Sequence, residues 1–308
     1  MRNLAMDRIN KSFWSSLTAA LILLTSTAGA EQAYFETPQQ AADALVIALA
    51  RHDSEAMNAL LGSDYAEVLP VDQIEKDQVQ QFLDGWARFN TLLSNDDKTR
   101  FLAVGTHGWT LPVPIVSDTQ GWHFDTIAGK EVMRVRRIGR NELSTMQAVL
   151  AYHDAQTEYA TQDRDGDGVL EYAQRFISSA GQRDGLYWEA AAGQQQSPLG
   201  PRFADHEPGS AYHGYRYRIL TAQGAHADGG ARDYVQNGSM TGGFAIVAWP
   251  ADYGQTGVMS FLLGDDGNLY ESDLGPDGDA VAASMPAFDP DARWAPVLEA
   301  MGVEQLPR

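Results

Sequence analysis

The densest chemistry in this sequence lies between Asp163 and Glu171, in Asp-Arg-Asp-Gly-Asp-Gly-Val-Leu-Glu. Asp163, Asp165 and Asp167 alternate, and Gly168 stands where an EF-hand-type loop needs a glycine for its sharp turn. Alternation in a curled loop aims three carboxylates at one point, where a hard cation such as Ca2+ offsets their repulsion. The Val169 carbonyl would be the backbone ligand, and Leu170 would anchor the loop in a core. Position twelve of the pattern is Gln174 instead of the bidentate glutamate, so Glu171 at position nine has to substitute. This shortened form is similar to extracellular calcium loops, whose Kd is about 10⁻⁴–10⁻³ M. The same residues also suit a plain wet turn of Asp and Gly. A calcium-dependent melting temperature separates the two readings.

A second group suits contact with a partner, either an envelope protein or a glycan. Tyr187 and Trp188 fall in a long loop, His213 precedes a strand, and Tyr215, Arg216, Tyr217 and Arg218 alternate along it. The plain alternative for that strand is one buried and one solvated face. Standard catalytic signatures fail. Ser239 lies in Asn-Gly-Ser-Met-Thr, which is no nucleophile elbow. His206-Glu207 runs into Pro208, which breaks the helix a zinc-protease motif requires. No catalytic residue and no organic cofactor is assigned. A carboxylate pair for sugar hydrolysis is assembled in space and is invisible among 41 acidic residues. A hydrolase of cell-wall or other polysaccharide, with carboxylates near Tyr187, Trp188 and His213, therefore stands as the alternative to a binding or scaffolding protein.

These residues need a frame, and 308 residues are enough for two domains. Met1–Lys11 is basic, Phe13–Leu24 is apolar, and Ala28-Gly29-Ala30 supplies a small-residue cleavage site before Glu31. That pattern predicts a Sec-type signal peptide over residues 1–30 and a periplasmic product without membrane insertion. The formal charge of −19 opposes binding to nucleic acid or anionic lipid. With no cysteine, disulfides, thiolate nucleophiles and Cys-ligated zinc are ruled out.

Thr37-Pro38-Gln39-Gln40 predicts a capped helix, and Asp53 or Ser54 a shorter one ended by Gly62. A third helix is expected over Ile74–Phe89, then strands at Trp109–Val116 and Gly121–Asp125. This layout resembles nuclear-transport-factor-2-like domains, with Trp86, Trp109, Trp122 and His123 as candidate pocket lining. Arg136–Arg140 reads as a solvated linker, after which Asn141 caps a helix through Tyr159. Its expected stripe is Leu143, Met146, Val149, Leu150, Ala155 and Tyr159.

Strands are expected at Tyr212–Thr221, Arg232–Gln236, Phe244–Trp249, Val258–Leu263 and Asn268–Ser272. Hairpins are expected at Asn237-Gly238 and at Gly264–Gly267. The fold class is α+β. Residues 31–137 form an N-terminal domain, and 138–285 one long helix on an antiparallel meander. Residues 286–308 are a tail with a short helix near Pro296–Met301. This second half resembles the globular part of type IV pilins and pseudopilins.

Several strings are similar to one family of exported bacterial proteins, domain of unknown function 2950. They include Gly-Trp-His-Phe-Asp-Thr (121–126), Arg-Arg-Ile-Gly-Arg-Asn-Glu-Leu (136–143), the acidic string 163–176 and Arg-Asp-Gly-Leu-Tyr-Trp (183–188). Ser-Pro-Leu-Gly-Pro (197–201), Tyr-His-Gly-Tyr (212–215) and Gly-Gly-Phe-Ala-Ile-Val-Ala-Trp-Pro-Ala-Asp-Tyr-Gly (242–254) complete the set. The resemblance implies a Gram-negative periplasmic setting and no catalytic assignment.

Overall fold

Thr37 opens the first helix as its residue type predicts. Its Oγ1 accepts the Gln40 N–H at 3.3 Å, while Gln40 Oε1 accepts the Thr37 N–H at 3.1 Å. The computed structural model describes residues 32–62, 65, 76–164, 166–191, 193–200 and 211–297. The segment expected to be a signal peptide lies outside them. By compactness the chain divides into two units between Thr126 and Ile127.

The first unit holds α1 (Pro38–Arg51), α2 (Ser54–Leu61) and α3 (Lys76–Arg88). Ala41, Ala42, Leu45 and Ala48 of α1 are buried, as 3.6-residue spacing requires of one face. Asp53 caps α2 by accepting the Ala56 N–H at 3.0 Å. The sheet comprises β1 (Asn90–Ser94), β2 (Thr99–Val104), β3 (Trp109–Thr110), β4 (Ile115–Ser117) and β5 (Trp122–Phe124). All pairs are antiparallel, in the order β1-β2-β4-β5 with β3 beside β2. The β1–β2 hairpin escaped the sequence reading, because Asn90–Val104 carries a polar turn between two short, weakly alternating runs.

The pocket lining expected in this unit does not assemble as expected. Trp122 and His123 are consecutive on β5 and so point to opposite faces. Trp122 sits under the Arg100 guanidinium, and His123 lies against Tyr34. Trp109 is half exposed and meets Phe82 edge-on.

The second unit begins with a helix longer than expected. α4 spans Thr126–Tyr159, 34 residues without a break. Arg136–Arg140 is therefore helix and no linker, and Asn141 lies mid-helix instead of capping one. The buried stripe also differs. Thr145, Ala148, Val149, Tyr152, Ala155, Gln156 and Tyr159 face the core. Leu143 and Leu150 are 56% and 45% exposed. Apolar type alone had placed them inside, but the helical phase set by Tyr152 and Tyr159 puts them outside.

Five antiparallel strands pack on α4. They are β6 (Tyr215–Leu220), β11 (Ala245–Pro250), β12 (Met259–Gly264), β13 (Leu269–Asp273) and β14 (Ala295–Pro296). The order is β14-β13-β12-β11-β6. Between β6 and β11 lie the short strands β7 (Ala222–Gln223), β8 (Arg232–Asp233), β9 (Val235–Gln236) and β10 (Ser239–Met240). Asn237-Gly238 does make a two-residue turn with positive φ at both positions, 54° and 97°. It joins β9 to β10, and not to Phe244–Trp249, which pairs with β6 and β12. The Gly264–Gly267 hairpin joins β12 to β13 as expected.

Every residue of β11 is buried, which needs cover on both faces of the sheet. Register assigns the faces. Tyr215 and Tyr217 lie on the α4 side, where the Tyr217 hydroxyl reaches Thr145 Oγ1 at 3.2 Å. Arg216 and Arg218 lie on the other side, against α5 (Gly278–Ala283). The described part of the presumed tail is no tail. Phe288, Trp294 and Val297 are buried in this core, and β14 extends the sheet. The helix expected near Pro296–Met301 falls on residues outside the description from 298 onward.

Candidate functional site

One face of α4 reads the backbone of a single loop in sequence. Arg134 donates to the Gly254 carbonyl, Arg137 Nε to Gln255 O at 3.1 Å, and Asn141 Nδ2 to Thr256 O at 2.8 Å. Glu142 Oε1 then accepts the N–H groups of Val258 and Met259 at 3.0 and 3.1 Å. Positions 134, 137, 141 and 142 share one helical face, which is why four side chains can fix five backbone groups between Gly254 and Met259. Gly214 comes close enough that a Cβ there would meet Asn141 Nδ2 at 2.6 Å. Three strings that carry the family resemblance, 136–143, 212–215 and 242–254, thus meet at one junction.

On the opposite side of the sheet, the same loop walls a pocket of about 430 Å³. Arg216, Asp252, Tyr253, Ser260, Pro276 and Asp279 are among its lining. Arg216 pairs with Asp279, whose Oδ1 also accepts Trp249 Nε1 at 2.7 Å. The Trp249 N–H, and then Arg216, hold the Asp279 carboxyl below the usual carboxylate range. Both bonds use Oδ1, so Oδ2 takes part in neither. Ser260 is almost wholly buried at the pocket base, and the Tyr253 hydroxyl donates to Asp273 Oδ2 at 3.2 Å.

Of the residues singled out as partner contacts, Arg216 alone lines this pocket. Tyr215 is buried, its hydroxyl donating to Met259 O at 2.8 Å, which removes it from any partner surface. Tyr217 is spent on α4. Arg218 donates to the Ala282 and Met285 carbonyls, and burial lowers its pKa. Trp188 is buried, donating Nε1 to Gln195 O at 3.1 Å, with the Arg164 and Arg183 guanidinium groups each 5.4 Å from its ring. Tyr187 is half-buried, its N–H donating to Phe176 O. His213 is exposed at φ 51° and rests on Tyr212. Among the described residues no hydrogen bond or ring contact joins His213 to Tyr187 or Trp188. Asp252, Ser260 and Asp279 were missed because the pocket draws on segments far apart in sequence, with no local spacing to betray it.

The acidic loop is curled by its own carboxylates. Asp163 accepts the Gly166 and Gly168 N–H groups at 2.7 and 2.9 Å, and Asp167 accepts that of Val169 at 2.7 Å. Leu170 is 59% exposed, so it anchors nothing. Asp165 lies outside the described residues. Among the described residues no three His, Asp or Glu side chains are grouped to hold a metal, so a fit for calcium turns on Asp165 joining Asp163, Asp167, the Val169 carbonyl and Glu171.

Residues 32–297 match the family described as protein of unknown function DUF2950, and the chain belongs to it. No curated protein and no solved structure matches the chain.

Proposed function

We propose that this chain is an exported periplasmic protein of the cell envelope that works by binding, with the pocket around Arg216 and Asp279 as its contact site. The observation that carries this reading is the pocket's Arg216–Asp279 ion pair, which Trp249 Nε1 ties to the sheet through Asp279 Oδ1. A fixed ion pair between a strand and the helix packed on it suits recognition. Export is supported by the basic, apolar and small-residue succession of residues 1–30. Among the described residues, no helix is long and apolar enough to cross a membrane. The Asp163–Glu171 loop is proposed as a weak calcium site that tightens the chain after α4.

The test has two parts. Fractionation of a tagged chain, with and without residues 1–30, should place only the intact chain in the periplasm. Purified protein should then be retained on isolated envelope glycan or protein without product release, and Arg216→Ala should weaken retention. Release of cleaved fragments would overturn the binding reading.

One observation favours a hydrolase as the second reading. Burial, and after it the negative charge of Glu142, push the Glu271 carboxyl up, as a catalytic acid beside a second carboxylate requires. Under that reading Glu271→Gln abolishes polysaccharide cleavage.

A further inference from the structure

The pocket sets two carboxylates, Asp252 and Asp279, against one guanidinium that is already paired. We propose that it holds one or two rings of an uncharged sugar, an assignment that rests on the binding reading above. Three observations narrow the ligand to that chemistry.

Charge comes first. With Arg216 neutralised by Asp279, Asp252 leaves the lining net negative, on a chain whose formal charge is −19. A phosphate, sulfate or uronate would meet like charge there. A polyol carries none.

Hydrogen bonding comes second. Each sugar hydroxyl both donates and accepts, so it needs acceptors and donors side by side. Asp279 Oδ2 and the Asp252 carboxylate take no part in the bonds that fix their backbones or Oδ1, so they can accept from hydroxyls. Arg216 presents further N–H groups beyond the one facing Asp279. Charge-assisted bonds of this kind are the strong ones.

Shape comes third. A pyranose has apolar C–H faces, and Tyr253 and Pro276 supply apolar walls for them. The volume of about 430 Å³ falls within the roughly 300–1,000 Å³ of small-molecule sites. Preorganisation adds to this. Trp249 fixes Asp279, and Arg134, Arg137 and Asn141 fix the loop bearing Asp252 and Tyr253. Little ordering is left to oppose binding.

The experiment titrates the full exported chain with cellobiose, diacetylchitobiose, a uronate disaccharide and inorganic phosphate by calorimetry. Mass spectrometry of each mixture follows. Wild type, Asp252→Asn, Tyr253→Ala and, as a control in the first unit, Asp97→Asn are compared at matched melting temperature. At least one neutral disaccharide should bind and be recovered intact. Asp252→Asn and Tyr253→Ala should each weaken it roughly tenfold, with Asp97→Asn unchanged. Preferential binding of uronate or phosphate, weakened by Arg216→Ala, overturns the ligand class while the binding reading stands. Cleavage of a bound disaccharide overturns the binding reading while the ligand class stands. No sugar binding, or sugar binding indifferent to both pocket variants, overturns the proposal itself.

Discussion

Asn141 Nδ2 fills the space that a Cβ on Gly214 would occupy, at 2.6 Å. Gly214 also has φ +78°, a conformation L side chains rarely adopt. Two separate demands therefore meet at one glycine, and Gly254 offers a way to divide them. It has φ +74° but no atom within 4 Å of its missing Cβ. Gly254→Ala should cost only the left-handed penalty, about 1–2 kcal/mol. Gly214→Ala should lose roughly 1–3 kcal/mol more, since Asn141 and Thr256 must move. Urea denaturation of both variants checks this. Equal losses would mean that the close approach of helix and loop does not require the glycine.

A buried glutamine holds the chain after the acidic loop to α4. Gln156 is fully buried, and its amide exchanges bonds with the Ala173 backbone. Nε2 donates to Ala173 O and Oε1 accepts Ala173 N, both at 2.8 Å, while Nε2 also reaches the Tyr152 hydroxyl at 2.9 Å. Gln156→Leu keeps the volume but strands two buried backbone groups, at about 1–3 kcal/mol each. The expected outcome is a loss of roughly 2–5 kcal/mol in denaturant, against under 0.5 kcal/mol for the exposed Gln147→Leu on the same helix.

That glutamine shows where sequence stopped being informative. Caps and turns were legible, because Thr37, Asp53 and Asn237-Gly238 act through neighbours within a few residues. The mixed α+β class, the central helix and the β12–β13 hairpin were legible for the same reason. The start of α4 was not. Arg137 and Asn141 look like linker and cap residues until their carbonyl partners, more than a hundred residues later, are known. The pocket was least legible, since Arg216, Asp252 and Asp279 share no spacing and meet only through sheet register. Tyr215–Arg218 was read correctly as alternating, yet on the second face α5 takes up Arg218 while Arg216 opens on the pocket. Alternation reports two faces; it does not report which of them is wet.

Glu271 makes stability depend on pH in an unusual direction. Burial first, and Glu142 second, raise its carboxyl above the ordinary value of 4.5. Below that value it is protonated in both folded and unfolded chains, and contributes no penalty. As pH rises from there through the folded pKa, the unfolded chain ionises more readily, so stability is lost. Glu271→Gln removes the penalty. Its melting temperature should exceed wild type at pH 7, and the gain should vanish below about pH 4. A gain that persists unchanged at low pH would show that charge is not its cause.

Calcium should stabilise the chain through the Asp163–Glu171 loop. Asp163 and Asp167 already accept backbone N–H groups, which curls the loop before any ion arrives. A carboxylate oxygen keeps a second lone pair after one such bond, so the curl and the cation are compatible. With a Kd near 10⁻³ M, 10 mM calcium adds roughly RT ln 11, or about 1.4 kcal/mol, to folding stability. The midpoint should rise by about 1–3 °C for a chain of this size, saturably, while magnesium at the same concentration should do less. Asp167→Asn should abolish the response. No rise with calcium assigns Asp163–Glu171 to a self-contained turn whose aspartates serve only its own backbone, and an equal rise with magnesium shows a site without the preference that a calcium loop has.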